Sequence, residues 1–235
     1  MKYKSILFDL DGTLLPMDND EFTRGYLGLL SAHLAPKGYQ PKELIGAMWQ
    51  GVAAMVSNDG SCLNGDRFWS VFSGLIGDHV YDDIPFFDDF YRNEFHSAVA
   101  FCQPSPLAVS AVEAAREAAE KVVLATNPFF PLVAVEARLS WAGLKTEDFD
   151  LVTHYGNSSY CKPSPEYYSE IAKELSAEPC ECLMIGNNAK EDVWASRKAG
   201  MDAFLLTDCL ICDGDLPDCP HGSFEELLEF LKELR

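Results

Sequence analysis

The sequence predicts an α/β protein: a doubly wound, Rossmann-like parallel sheet with an all-helical domain inserted after the first strand. Three observations carry this. Short continuous apolar runs recur along the chain without the polar/apolar alternation of a half-exposed strand, as buried parallel strands do. Helical stretches lie between them, several opening on a proline, whose missing N–H is harmless in a first turn. Between about Met17 and Phe101 this rhythm stops and only helical spacing remains. The 235 residues are 48% hydrophobic and 23% charged, the balance of a globular chain able to bury a core.

Ser5–Phe8 is the first strand. In the insertion, Phe22, Tyr26, Leu29 and Leu30, then Leu44, Ile45, Met48 and Trp49, recur at helical spacing. Its aromatic residues, among them Phe68, Trp69, Phe72, Phe87, Phe90 and Tyr91, are expected in the core of a helical bundle rather than against a substrate. The division is therefore a helical insertion over 17–101 and an α/β core built from 1–16 and 102–235. In the core the expected order is helix Pro106–Ala119, strand Lys121–Ala125, helix Pro131–Trp141, strand Leu151–Thr153 and helix Pro165–Leu175. Strand Cys182–Ile185, helix Asp192–Ala199 and strand Ala203–Leu206 follow. Ser223 and Glu226 form a capping box ahead of Leu227, Leu228, Phe230 and Leu231, which predicts a closing amphipathic helix.

Eighteen basic residues against thirty-seven acidic ones give a net charge of −19, which repels nucleic acid and anionic membranes. Neither is expected as a partner, and no protein partner is predicted. No apolar run is long enough to span a bilayer, and Met1-Lys2-Tyr3-Lys4 leads into the first strand without a signal-peptide apolar region. The eight cysteines are accordingly expected as reduced thiols in the cytoplasm.

The chemistry-bearing residues gather at strand ends, where open α/β sheets form their ligand crevices. Phe8-Asp9-Leu10-Asp11-Gly12-Thr13 places two carboxylates two residues apart after the first strand. A hard divalent cation such as magnesium would compensate that clustered charge. Thr126-Asn127 follows the second strand with a hydroxyl and backbone N–H groups suited to phosphate oxygens. Lys162 follows the third with a cation able to neutralise a phosphoryl group or a nucleophile. The run from Gly186 to Asp192 follows the fourth and returns a carboxylate to the sheet edge. Each signal is modest alone; their order and spacing are mutually specific.

In that order the chain resembles the haloacid dehalogenase superfamily, whose DxDGT, T/S, K and GDxxxxD motifs are met at Asp9, Thr126, Lys162 and Asp192. The resemblance covers essentially the whole chain, and the insertion is similar to the helical cap of the phosphatase branch. It implies a magnesium-dependent hydrolysis of a small phosphorylated metabolite. Asp9 would be the nucleophile forming an aspartyl-phosphate, and Asp11 the acid/base. Thr126, Asn127 and Lys162 would hold the phosphoryl group. Asp9, the Asp11 carbonyl, Asn187 and Asp192 would hold Mg2+.

One departure stands out: the first aspartate of the fourth motif is Asn187 here, which removes a ligand charge and is expected to weaken magnesium binding. Glu191 is the candidate to supply the missing carboxylate. A phosphomutase would retain the same core residues, and a weakened enzyme acting as a phosphometabolite-binding protein is the reading that Asn187 motivates. The dehalogenase branch lacks the second acid, present here as Asp11. A phosphonatase would need a Schiff-base lysine in the cap, for which Lys37 and Lys42 are the candidates. Asp18, Asp20, Arg24, Asn58 and Asp59 are the candidate cap contacts to substrate. Cys209, Cys212, Cys219 and His221 have the ligand types of a zinc site, but their Gly/Asp/Pro-rich surroundings are read as a loop.

Overall fold

The computed structural model describes residues 2–234. The sheet is built from β1 (Ser5–Phe8), β2 (Lys121–Leu124), β3 (Leu151–Val152), β4 (Cys182–Gly186), β5 (Asp202–Leu206) and β6 (His221–Gly222). Every pairing is parallel, in the order β3-β2-β1-β4-β5-β6. The strand order reverses at β1, the switch point at which such sheets open a crevice. The register puts Phe8 level with Leu124 on one side and Ile185 on the other, so the segments that follow these three residues leave the sheet at one edge.

Successive side chains of a strand point to opposite faces, and both faces are covered. Ile6 and Phe8 join one hydrophobic cluster with Val122, Leu124 and Ile185; Leu7 joins another with Val123, Met184 and Tyr168. The first face carries α5 (Leu107–Ala118) and the closing helix α9 (Phe224–Glu233), and the second carries α7 (Pro165–Glu174). The expected capping box is formed at the start of α9: the Glu226 backbone N–H donates to Ser223 Oγ, and the Glu226 carboxylate accepts from the Ser223 N–H.

Between β1 and α5 lie α1 (Asn19–Leu34), α2 (Pro41–Val56), α3 (Asn64–Ile76) and α4 (Val80–Arg92), followed by a 3-10 stretch over Glu94–Phe101. The two ends of this segment are pinned together. Met17 and Cys102 pair in an antiparallel bridge, and the Gln103 N–H donates to the Pro16 carbonyl at 2.8 Å. A second pin lies at the start of α3. Asn64 is fully buried; its N–H donates to the Ser158 carbonyl, and its Nδ2 donates to the Tyr160 carbonyl at 3.0 Å and to Cys161 Sγ at 3.3 Å.

Two details depart from expectation. The short strand β6 pairs with β5 through backbone groups that a His-Gly pair does not advertise. The helix expected from Asp192 starts earlier, as a π turn over Ala189–Trp194 capped by the Asn188 side chain, and continues as α8 (Ala195–Lys198). The wider turn brings Asp192 back against Gly186, where any Cβ would overlap its carboxylate.

Candidate active site

Asp9 is the first residue past β1, held there by its N–H donating to the Ile185 carbonyl at 2.9 Å. The turn that follows depends on Gly12, whose φ of +85° is a left-handed conformation and whose missing Cβ leaves room for the Asn187 amide. Thr13 is thereby carried under the site. Its hydroxyl lies 3.0 Å from Asn187 Oδ1 and 3.3 Å from Asp9 Oδ2, within donating distance of both.

Lys162 sits ahead of α7 and is 1% exposed, with Nζ donating to Asp9 Oδ1 and Asp192 Oδ1 at 2.7 Å each. Burial alone would lower the lysine's pKa, but the carboxylates of Asp192 and Asp9 outweigh it and hold the ammonium well above its ordinary value. Burial pushes the Asp192 carboxyl up, to about 7, against the pull of Lys162. The other Asp192 oxygen accepts the Asn188 N–H at 2.9 Å. Asn187 in turn donates its Nδ2 to the Cys209 carbonyl at 2.7 Å, so its amide is used at both ends.

On the β2 side, the Thr126 carbonyl accepts from Thr153 Oγ1 and from the Tyr167 hydroxyl, each at 2.8 Å, which fixes the loop carrying Thr126 and Asn127. Asn127 donates to Glu191 Oε2 at 3.1 Å, and burial raises the Glu191 carboxyl. The helix after this loop, α6 (Leu132–Trp141), delivers a group that the motifs do not contain. Arg138 is wholly buried, ion-pairs through Nη1 with Asp11 Oδ2, and lies 4.3 Å from the centre of the Phe130 ring. Arg138 Nη2 and Asp11 Oδ1 are both buried without a hydrogen-bond partner. Burial raises the Asp11 carboxyl, opposed by Arg138.

A cavity of about 250 Å³ lies over these groups. Asp9, Asp11, Thr126, Asn127, Asn187 and Asp192 line its floor, with Lys162 beneath. The expectation that the aromatic residues of the insertion serve only as core is corrected: Phe68, Trp69, Phe87 and Tyr91 also line the cavity. Helical spacing reveals a buried face but not that the face borders a cavity. None of Asp18, Asp20, Arg24, Asn58 and Asp59 lines it. Asp18 instead caps α1, and Asn58 and Asp59 bind Arg67. Lys37 pairs with Asp83 at 2.9 Å and Lys42 is exposed, so neither phosphonatase candidate reaches the cavity.

The floor fits magnesium by its donor set, since Asp9, Asp192 and the Asn187 amide supply the hard oxygen ligands that ion takes. Cys209, Cys212, Cys219 and His221 do not converge as zinc ligands. Among the described residues the one converging set is His33, Asp89 and Glu94, none of which lines the cavity. Thr13 stood inside the first motif without an assigned contact. Arg138 carried no signal beyond being a lone arginine in an apolar helix.

The chain is 24% identical to pyrophosphatase PpaX of Bacillus cereus (strain Q1) over 237 aligned positions, covering 100% of this chain and 99% of that one. Among solved structures it is similar to a 2-haloacid dehalogenase from Pseudomonas syringae pv. Tomato, with a TM-score of 0.66, 18% identity and coverage of 99% and 100%. A predicted phosphoglycolate phosphatase from Haemophilus somnus matches with a TM-score of 0.57 and 16% identity, covering 98% of each chain. At these identities the structures establish the fold. The model of the haloacid dehalogenase-like hydrolases matches residues 3–200, which is most of the chain and contains every floor residue of the cavity; the chain belongs to that family of hydrolases.

Proposed function

We propose that this hydrolase is a magnesium-dependent phosphatase acting on a small phosphomonoester. One observation carries the reading: the Asp9 carboxylate lines the cavity at the sheet's switch point while Lys162 and Thr13 hold it from below. Asp9 attacks phosphorus, forming an aspartyl-phosphate as the ester P–O bond breaks. Asp11 gives a proton to the departing alkoxide and then takes one from the water that attacks the aspartyl-phosphate, releasing phosphate and restoring Asp9. Thr126 and Asn127 hold phosphoryl oxygens, and Lys162 offsets charge beside Asp9. Asp9, Asp192, the Asn187 amide oxygen and the Asp11 carbonyl would hold magnesium, which when bound neutralises charge developing on the phosphoryl oxygens.

Residues 17–101 act as a cap on the core formed by 1–16 and 102–235, excluding water from the site when closed. Two facts support this: the cavity is lined from both segments, and the chain enters and leaves the helical segment at the Met17–Cys102 bridge. We place the enzyme in the cytoplasm, where its eight unpaired cysteines stay reduced.

The test is hydrolysis of an aryl phosphate with added magnesium, with a chelator, and by Asp9→Asn. Activity lost in both controls is the expected result. An inactive wild type at high magnesium, across aryl, sugar and nucleotide phosphates, would refute it and favour the binding-protein reading.

A further inference from the structure

We propose that the substrate is a phosphomonoester whose leaving group is a flat apolar ring system bearing no second anionic group; this deepens, and rests on, the phosphatase reading. The wall above the floor is apolar and largely aromatic. It includes Met48 and Val52 from α2, Phe68 and Trp69 from α3, Phe87 from α4, and Phe129 from the loop before α6. Trp69 and Phe87 meet edge to face, with ring centres 5.3 Å apart and planes at 84°, so this wall is already packed in shape. On the helical side, Asn19, Thr23 and Asp88 are the lining residues with non-aromatic polar side chains among the described residues. Beyond these and the Tyr26, Tyr91 and Tyr155 hydroxyls, a polyhydroxylated sugar would bury its hydroxyls against apolar surface on this wall.

Charge selects in the same direction. No lysine or arginine lines the cavity among the described residues, while Asp88 and Glu191 do. The nearest buried cations are already paired, Lys162 with Asp9 and Asp192, and Arg138 with Asp11. Arg92 approaches Asp88 at 3.8 Å but is not a lining residue. A second phosphate or a carboxylate on the leaving group would therefore sit among carboxylates without a counter-ion, inside a chain of net charge −19. The floor can accommodate one phosphoryl group; the wall recognises the rest of the molecule through its rings. By this reasoning neither pyrophosphate nor a phosphorylated hydroxy acid is the preferred substrate.

The experiment compares 2-naphthylmethyl phosphate with 2-phosphoglycolate and pyrophosphate. The first two both release alkoxides, which limits differences from leaving-group reactivity. Binding of 2-naphthylmethylphosphonate and phosphonoacetate to the wild-type chain is measured in parallel by calorimetry. The expected result is a preference of about tenfold or more in kcat/KM, and in affinity, for the naphthyl compounds. Val52→Lys, which adds a cation to the wall from a partly exposed position, should reduce that preference by about tenfold. Equal or better turnover of 2-phosphoglycolate or pyrophosphate overturns the substrate class while leaving the phosphatase reading intact. Absence of all turnover with the naphthyl phosphonate still bound preferentially supports the ligand class and refutes the phosphatase reading. Tighter binding of phosphonoacetate overturns the class whatever the turnover.

Discussion

Arg138 and Asp11, 127 positions apart in sequence, form an ion pair in which the arginine is fully buried and the aspartate borders the cavity. The pair holds one Asp11 oxygen and leaves the other buried and without a partner; on the proposed mechanism Asp11 exchanges the proton. Arg138 is in turn held by its Nε donating to the Ala134 carbonyl at 3.2 Å and by the Phe130 face.

If Arg138 positions the acid/base, Arg138→Gln lowers kcat by about a hundredfold on alkyl phosphates, whose leaving groups need a proton, and much less on dinitrophenyl phosphate. Arg138→Lys does not restore it, because an ammonium lacks the planar fork that reaches both partners. Steady-state kinetics over a leaving-group series checks this. An equal loss on every substrate would mean a structural role only.

Removing Lys162 leaves Asp9 and Asp192 without the cation that separates them. Lys162→Met should destabilise the metal-free protein by about 3–5 kcal/mol. Added magnesium should raise the melting temperature of this variant more than that of the wild type, because a divalent ion replaces the missing charge. Thermal melts with and without magnesium decide it, and equal shifts would argue against these carboxylates as ligands.

Asn187→Asp adds a carboxylate at the proposed metal site but removes the amide that donates to the Cys209 carbonyl at 2.7 Å. The metal-free variant should therefore lose about 1–3 kcal/mol while binding magnesium more tightly. Chemical unfolding and a magnesium titration separate the two effects. Unchanged magnesium affinity would count against Asn187 as a ligand position.

Asn64 ties the start of α3 to the Ser158–Cys161 loop that leads to Lys162. Its side-chain Oδ1 also accepts from Asn58 Nδ2 at 2.9 Å. Asn64→Ala should loosen the proposed cap on the core, seen as faster hydrogen exchange around Asn58 and in the 158–161 loop. Exchange rising only globally would indicate general destabilisation instead.

Away from the cavity, hydrogen bonds from Lys37 and Tyr39 hold the Asp83 carboxyl below its ordinary range. A depressed carboxylate stabilises the fold above its unfolded pKa of about 3.9, and that contribution is lost as pH falls through the lower folded value. Urea unfolding from pH 6 to pH 3 should thus show Asp83→Asn losing less stability on acidification than the wild type. Parallel curves would remove Asp83 from the acid response.

The strands were legible because a buried parallel strand is a local, continuous apolar run. β1 spans Ser5–Phe8 as expected, and β2 and β5 differ from expectation by one residue at one end. β6 was not legible, since His221 and Gly222 contribute backbone pairing and little else. The π turn before α8 escaped because it depends on Asp192 folding back onto Gly186, a contact between residues that no periodicity links.

For the site, the sequence by itself determined which groups stand at the strand ends and in what order. Asp9, Thr126, Lys162 and Asp192 follow β1 to β4, and parallel pairing brings those ends to one edge. Tertiary structure alone decided which groups meet there from outside the motifs. Helical periodicity marks Arg138, Phe68 and Trp69 only by position on a helix. Whether such a face meets a carboxylate, a core or a cavity depends on how separate elements pack, and no local pattern encodes that.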